Sequence, residues 1–242
     1  MEKIRFYFSF RSPFAAIAFY RLRRAPQFNG VEFELIPTWP DIIFGGHMDN
    51  PTDNLFKMAY IFHDAARQAA SAGLDPAPFK ALAERYRLPD SGDYRSRKVG
   101  VEVGQENWQI PHCAFLYAQS QGKGWAFGDA VFARRFNFDG QGAANVMNPR
   151  VIKELAEGLG LDGDLAVGAH ESKACQAALP SIISHSERDG VFGVPFFVRQ
   201  TGAEEKFWGN DRIEFLLRSL QASSDLPNIT IASLATIQPG RD

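Results

Sequence analysis

Strand-type alternation of apolar and polar residues is concentrated at the two ends of this chain, and a long middle with helical spacing separates them. In Ile4 to Phe10, the side chains of Ile4, Phe6, Phe8 and Phe10 alternate with Arg5, Tyr7 and Ser9. That period of two predicts a strand with one face in a core. After Arg11, the pair Ser12-Pro13 opens a run in which Phe14, Ile17, Ala18, Arg21 and Leu22 recur at helical intervals. Serine is favoured as an N-cap and proline at the first helical position, so a helix starts at Ser12 or Pro13. Asn29-Gly30 marks a turn, and Val31, Phe33 and Leu35 alternate with Glu32 and Glu34 as a second strand closed by Pro37 and Pro40. The first 40 residues therefore read as βαβ.

From Asp41 to about Glu187 helical patterns dominate. Leu55, Met58, Ala59, Phe62, Ala65, Ala66 and Ala69 fit one face of a long helix, and Phe79, Leu82, Ala83 and Tyr86 fit a second. Val151, Ile152, Leu155, Ala156 and Leu159 fit another, with Asn148 as its cap and Pro149 at its first position. Beyond the helices, Pro195–Val198 and Lys206–Trp208 read as short apolar strands around the turn-rich Gln200–Ala203. Ile213, Leu216, Leu217 and Leu220 then make a last amphipathic helix. A βαβ start and a ββα end thus flank a helical block, giving units at 1–40 with 188–222, at 41–187, and an extension at 223–242.

Composition narrows the function classes. With 26 Lys and Arg against 28 Asp and Glu over 242 residues, the formal charge is -2, which gives no basic footprint for nucleic acid. A chain of this length builds a full core without disulfides or a structural metal. The two cysteines, Cys113 and Cys175, lie outside any C-x-x-C or zinc-ligand spacing, so a disulfide framework is not the organising device. Glu2, Lys3, Arg5 and Arg11 interrupt any apolar core of a signal peptide, and no apolar run is long enough for a membrane span. A reducing, cytoplasmic setting and no membrane partner are the expectation. The five histidines show no metal-ligand spacing, and no metal is expected.

Three local features carry possible chemistry. In Phe8–Phe14 a strand runs into a helix capped by a hydroxyl. Free N–H groups and about half a positive charge at a helix start stabilise an anion there. A thiolate so placed would accept a hydrogen bond from Ser12 and ionise below the usual thiol range of about 8.5. Plain capping by Ser12 is the other reading. In Gly190–Val198, a proline entering a strand through a glycine-containing approach suits a cis bond at Val194-Pro195. Such a turn leaves the main chain of Val194 open to an extended ligand, unless Pro195 merely protects a sheet edge. In Phe207–Arg212, Asn210 or Asp211 opens the last helix, and the turn serves either as a cap or as a seat for a ligand's carboxylate or ammonium group.

Taken together and in order, Phe6-Tyr-Phe-x-Phe-x-Ser12-Pro13, Gly190-Val-Phe-Gly-Val-Pro195 and Phe207-Trp-Gly-Asn-Asp-Arg212 resemble the 2-hydroxychromene-2-carboxylate isomerase and kappa-class glutathione transferase family. The resemblance runs from about residue 4 to residue 220. It implies an α/β fold: a thioredoxin-like domain with a large helical insertion, related to the periplasmic disulfide oxidoreductase DsbA. Where those relatives carry Cys-x-x-Cys, this chain has Ser12-Pro13-Phe14-Ala15, so it cannot exchange disulfides there on its own. In the resembled family the thiol belongs to glutathione.

The resemblance further implies that Ser12 hydrogen-bonds the glutathione sulfur as the catalytic residue. Val194 before cis-Pro195 would pair with the cysteinyl part, and Asn210 and Asp211 would bind the γ-glutamyl end. The family's lysine three residues before a tyrosine falls on Lys57 and Tyr60, with Asp64 beyond, and its glutathione-contacting asparagine falls on Asn50 in a loop of different length. Arg95, Ser96, Arg97 and Lys98 lie where the family has an Asn-Ser-Arg-like run; Arg95 or Arg97 would hold a substrate carboxylate by a two-pronged contact, or the run is a solvated helix start. Trp39, Phe44 and Trp108 either wall an aromatic pocket or belong to the core. The implied activity is glutathione-dependent isomerisation of an aromatic or conjugated oxo-acid. The alternatives are a kappa-like transferase or peroxidase and a non-catalytic thioredoxin-like binding module. Family members commonly form dimers, so a homodimer is expected.

Overall fold

A computed structural model describes residues 3–39, 55–86, 108–201 and 203–222. Strand β1 (Lys3–Phe8) leads into helix α1 (Pro13–Arg24), and β2 (Glu32–Pro37) follows. The helical stretch then contains α2 (Leu55–Ser71), α3 (Ala77–Arg85), α4 (Gln109–Ser120), α5 (Gly124–Phe136), α6 (Pro149–Gly158), α7 (Gly163–Gly168) and α8 (Lys173–Arg188). The hairpin β3 (Phe196–Thr201) and β4 (Ala203–Trp208) and helix α9 (Ile213–Ala222) close the described chain. The strands form one sheet in the order β2-β1-β3-β4. β1 and β2 are parallel, joined through α1 as βαβ requires, and the other two pairings are antiparallel.

The caps follow the sequence. Ser12 precedes α1 with extended backbone and accepts a hydrogen bond from the Ala15 N–H, with Pro13 behind it. Asn148 caps α6 in the same way through the Arg150 N–H, with Pro149 in the first turn. Pro37 closes β2 at the sheet edge, where its missing N–H costs no ladder bond.

On one face of β1, Phe6 stacks on Phe197 at 4.9 Å, and Phe8 meets Phe19, Phe115 and Phe132 edge-on or tilted. The sheet core thus continues into α1, α4 and α5. The opposite face departs from the expected half-solvated strand: Arg5 and Tyr7 are buried as well. Asp189, one residue past α8, receives Arg5 Nε at 2.5 Å, Arg5 Nη2 at 3.1 Å and the Tyr7 hydroxyl at 2.5 Å. Burial pushes the Asp189 carboxyl up, but the hydrogen bonds from Tyr7, Arg5 and Arg188 outweigh it and hold the group below its ordinary range. Burial and the neighbouring Asp189 raise the Tyr7 phenol, which stays neutral and donates.

The strand bounds of the hairpin are corrected, and a cross-link that spacing gives no sign of is added. β3 and β4 pair from Phe196 opposite Trp208 through to Thr201 opposite Ala203, well beyond the apolar runs that marked them. Polar cross-strand partners extend the hairpin: Arg199 is buried against Glu205 and Ser219 rather than exposed. Cys113 on α4 and Cys175 on α8, 62 residues apart, are bonded to each other. One cross-link is not a framework, yet it joins two helices where spacing alone gave no sign of it. Among the described residues, no helix is long and apolar enough to cross a membrane, and no cluster of three metal-ligating side chains occurs.

Candidate functional site

The three motifs meet at one end of the sheet. The Ser12 hydroxyl donates to the main-chain oxygen of Val194 at 3.3 Å while accepting from Ala15 N at 3.1 Å. The Val194-Pro195 bond is cis. The Pro195 carbonyl accepts from Gly209 N–H at 2.9 Å, which fastens the third motif to the second. Gly209 has a φ of 105°, a conformation costly for other residues, and a β-carbon there would strike the Asp211 carboxylate.

The helix start has one amide left to offer. Pro13 has no N–H, Ala15 N–H goes to the Ser12 hydroxyl, and Ala16 N–H goes to the Ser12 carbonyl at 3.1 Å. The Ser12 N–H is taken by the Ser9 carbonyl at 3.0 Å. That leaves the Phe14 N–H without a partner among the described residues. The Val194 N–H is likewise unpaired there, whereas the Val194 carbonyl, expected to be open, is held by Ser12. Ser12, Phe14 and Val194 are all partly exposed. A hydroxyl and two main-chain donors therefore surround an accessible corner, a donor set suited to a thiolate on a peptide.

Asn210 and Asp211 sit at the same corner but differ in state. The buried Asn210 side chain donates to Gln68 Oε1 at 2.9 Å, and its amide oxygen accepts from Arg21 Nη1 at 3.3 Å. Arg21 also holds the Asn210 carbonyl at 2.9 Å and pairs with Glu214. Asn210 thus fixes the turn through its side chain, and the exposed Asp211 carboxylate, paired with Arg212 at 2.9 Å, faces outward. The Asn210–Gln68 bond ties α2 to the turn before α9, and within α2 Gln68 donates to Asp64 at 2.7 Å. Lys57 and Tyr60 lie on the exposed side of α2. Asn50, Phe44, Arg95, Ser96, Arg97 and Lys98 lie outside the described residues.

Arg21, Gln68, Ser9 and His112 belong to this neighbourhood although no motif pointed to them. Each acts across more than 100 residues of sequence, and only the fold shows that. Trp39 and Trp108 are buried and flank His112, with ring centroids 5.1 and 6.2 Å from the imidazole.

The chain matches the model of the DSBA-like thioredoxin domain over residues 3–221. It belongs to that family. It is 28% identical over 221 residues to a 2-hydroxychromene-2-carboxylate isomerase of Sphingobium xenophagum, covering 89% of this chain and 96% of that one. A solved structure of 2-hydroxychromene-2-carboxylate isomerase superposes with a TM-score of 0.63 at 22% identity, over 91% of this chain and 95% of the other. The cytosolic disulfide reductase DsbM of Pseudomonas aeruginosa, solved with GSH, superposes with a TM-score of 0.54 at 17% identity, over 90% and 99%. The fold is therefore a DsbA-like thioredoxin fold with a helical insertion, and the relationship to an isomerase makes the chain an enzyme homologue.

Proposed function

We propose that this protein is a glutathione-dependent isomerase of the 2-hydroxychromene-2-carboxylate isomerase type, acting on an aromatic or conjugated oxo-acid. The observation that carries this reading is the chemistry at the start of α1. A serine hydroxyl and the amides of Phe14 and Val194, unpaired among the described residues, surround a corner that has no thiol of its own, because Cys113 and Cys175 are bonded to each other on α4 and α8. A donor set built for a thiolate beside a chain that supplies none calls for a borrowed thiol. The isomerase among its relatives and the DsbA-like neighbour solved with GSH support the same choice.

Glutathione, when bound, supplies a thiolate that adds reversibly to the conjugated acid, making a double bond rotatable, and leaves again unconsumed. The Ser12 hydroxyl hydrogen can swing from the Val194 carbonyl to an incoming sulfur, because its second contact, from Ala15, uses the oxygen as acceptor. Stabilising the ionised sulfur by one pKa unit corresponds to about 1.36 kcal/mol. The Phe14 amide adds a donor along the helix axis, and Val194 N–H pairs with the peptide beside the sulfur. Asp211 receives the γ-glutamyl ammonium group, and Asn210 keeps the turn that presents it. Asn50 and Lys57 complete the tripeptide's contacts, and Arg95 or Arg97 holds the substrate carboxylate. Holding thiolate and electrophile together supplies much of the acceleration. The cytoplasm, where glutathione is kept reduced, and a homodimeric state belong to the same proposal; Cys113 and Cys175, 2% and 4% exposed, are shielded from solvent thiols there.

The deciding experiment incubates the protein with glutathione and a 2-hydroxychromene-2-carboxylate and follows both the acid and the free thiol. Isomer interconversion with total free glutathione unchanged is the expected result. Stoichiometric loss of glutathione would instead identify a kappa-like transferase, and neither interconversion nor binding to immobilised glutathione would leave a binding module.

A further inference from the structure

His112 is fully buried on α4, among histidines without a pattern in sequence, and it reaches the residues just after β1, where the turn to Ser12 begins. Its Nδ1 lies 2.6 Å from the Trp108 carbonyl, and its Nε2 lies 3.1 Å from Phe10 N and 3.2 Å from Ser9 Oγ. The partners settle the tautomer. A carbonyl only accepts, so Nδ1 carries the hydrogen; an amide only donates, so Nε2 is the acceptor. A protonated imidazole would set an N–H against the Phe10 N–H, and burial accordingly lowers the imidazole to about 3, with Arg135 adding to the shift.

The groups held by Nε2 are the turn that delivers Ser12. Ser9 to Ser12 form a β-turn, closed by the bond from Ser12 N–H to the Ser9 carbonyl. Within it the Ser9 hydroxyl also accepts from Arg11 N–H at 3.3 Å. The N–H of the second residue in such a turn has no partner inside the turn, and here His112 takes it. Phe10, Trp39 and Trp108 pack around the imidazole at centroid distances of 5.1 to 6.2 Å, so the ring has no room to turn away.

We propose that His112 is a positioning residue for the thiol site: its neutral imidazole locks the Ser9–Ser12 turn, so that the Ser12 hydroxyl and the Phe14 amide meet an incoming sulfur in one fixed geometry. The inference rests on the reading of Ser12 as the partner of a borrowed thiol and extends it by one residue. His112 touches no substrate and moves no proton. It acts by fixing the backbone from which the two sulfur donors project, as preorganised dipoles require.

The test is a pH titration of glutathione bound to the intact protein, followed by the ultraviolet absorbance of the thiolate. Thermal melting of each variant runs alongside. His112→Leu removes the acceptor and should raise the apparent pKa of the bound thiol by about one unit, leaving roughly tenfold less thiolate at a pH below both values. His112→Gln offers an amide oxygen where Nε2 lies and should recover most of that loss, which a role in packing alone would not predict. Should His112→Leu fail to fold, Ser9→Ala removes one contact to the imidazole while leaving the ring in place, and should shift the thiol in the same direction by less. A thiol that titrates as in the unaltered protein in a folded His112→Leu, or in Ser9→Ala, overturns the proposal, as does a glutamine variant no better than leucine. A missing thiolate signal in the unaltered protein instead overturns the borrowed-thiol reading beneath it.

Discussion

Two buried polar clusters hold β1 and the turn that follows it, and they work by different physics. At Arg5 and Tyr7 the cluster is ionic: Asp189 is fully buried and held by two Arg5 nitrogens, Arg188 Nε and the Tyr7 phenol. At Ser9 and Phe10 it is neutral: an uncharged imidazole accepts from an amide beside a hydroxyl. A buried carboxylate without its partners is so costly that the ionic cluster can have only one arrangement. The neutral cluster costs less to disturb, and it sits next to the residue whose placement matters to the proposed chemistry. The molecule thus secures the root of the cis-proline loop by charge and the Ser12 turn by geometry.

The sharpest way to break that contrast is at Asp189. Asp189→Ala leaves the buried Arg5 with only the half-exposed Glu204 carboxylate, at 3.6 Å, and should cost about 3 kcal/mol in urea unfolding, with Arg5→Met in the same background recovering part of it. A loss below about 1 kcal/mol would mean that the cluster is not the anchor. Ser12→Ala tests the other side. Turnover should fall by about 10²-fold, as for loss of one preorganised donor, while folding loses only about 1 kcal/mol, as for a helix cap. Unchanged turnover would remove Ser12 from the chemistry.

Acid separates the clusters by window. His112 titrates lower in the folded chain, about 3, than its ordinary 6.5. As pH falls from 6.5 to about 3 the unfolded chain takes up a proton that the folded one refuses, so stability drops by up to about 1.4 kcal/mol per pH unit. Asp189 is also lower than usual when folded, but its contribution persists above its ordinary 3.8 and is lost only on further acidification. Denaturation curves at stepped pH should therefore show a slope between 6.5 and 3.8 that His112→Gln flattens and Asp189→Asn does not. The smallest effect is expected at Gln68→Ala, which leaves Asn210 Nδ2 without its acceptor and should weaken glutathione binding by about 1 kcal/mol, roughly fivefold, in calorimetry.

Much of this organisation is legible in the sequence, and the boundary is physical. Period-two alternation located β1 because adjacent residues on a strand face opposite ways, and Ser12-Pro13 located α1 because a cap is a local bargain between a side chain and the next turn's amides. Val194-Pro195 and Asn210-Asp211 were legible as turns for the same reason. Arg5 was not readable as buried, since its partner Asp189 is 184 residues away. His112 and the Cys113–Cys175 bond failed to show for the same cause, with α4, α8 and β1 meeting only in three dimensions. The full length of the hairpin is hidden from hydropathy because cross-strand pairs such as Arg199 with Glu205 are polar.

The free amides of Phe14 and Val194 have one further consequence. Of the donors proposed to hold the tripeptide's thiol end, those of Phe14 and Val194 belong to the peptide backbone, so no substitution other than proline deletes them. On the proposed reading, substitutions would alter such a cradle chiefly by bending the chain beneath it, whereas side chains that contact the acid could change without touching it. In the proposed enzyme, the hold on the thiolate and the choice of acid would therefore depend on different stretches of sequence.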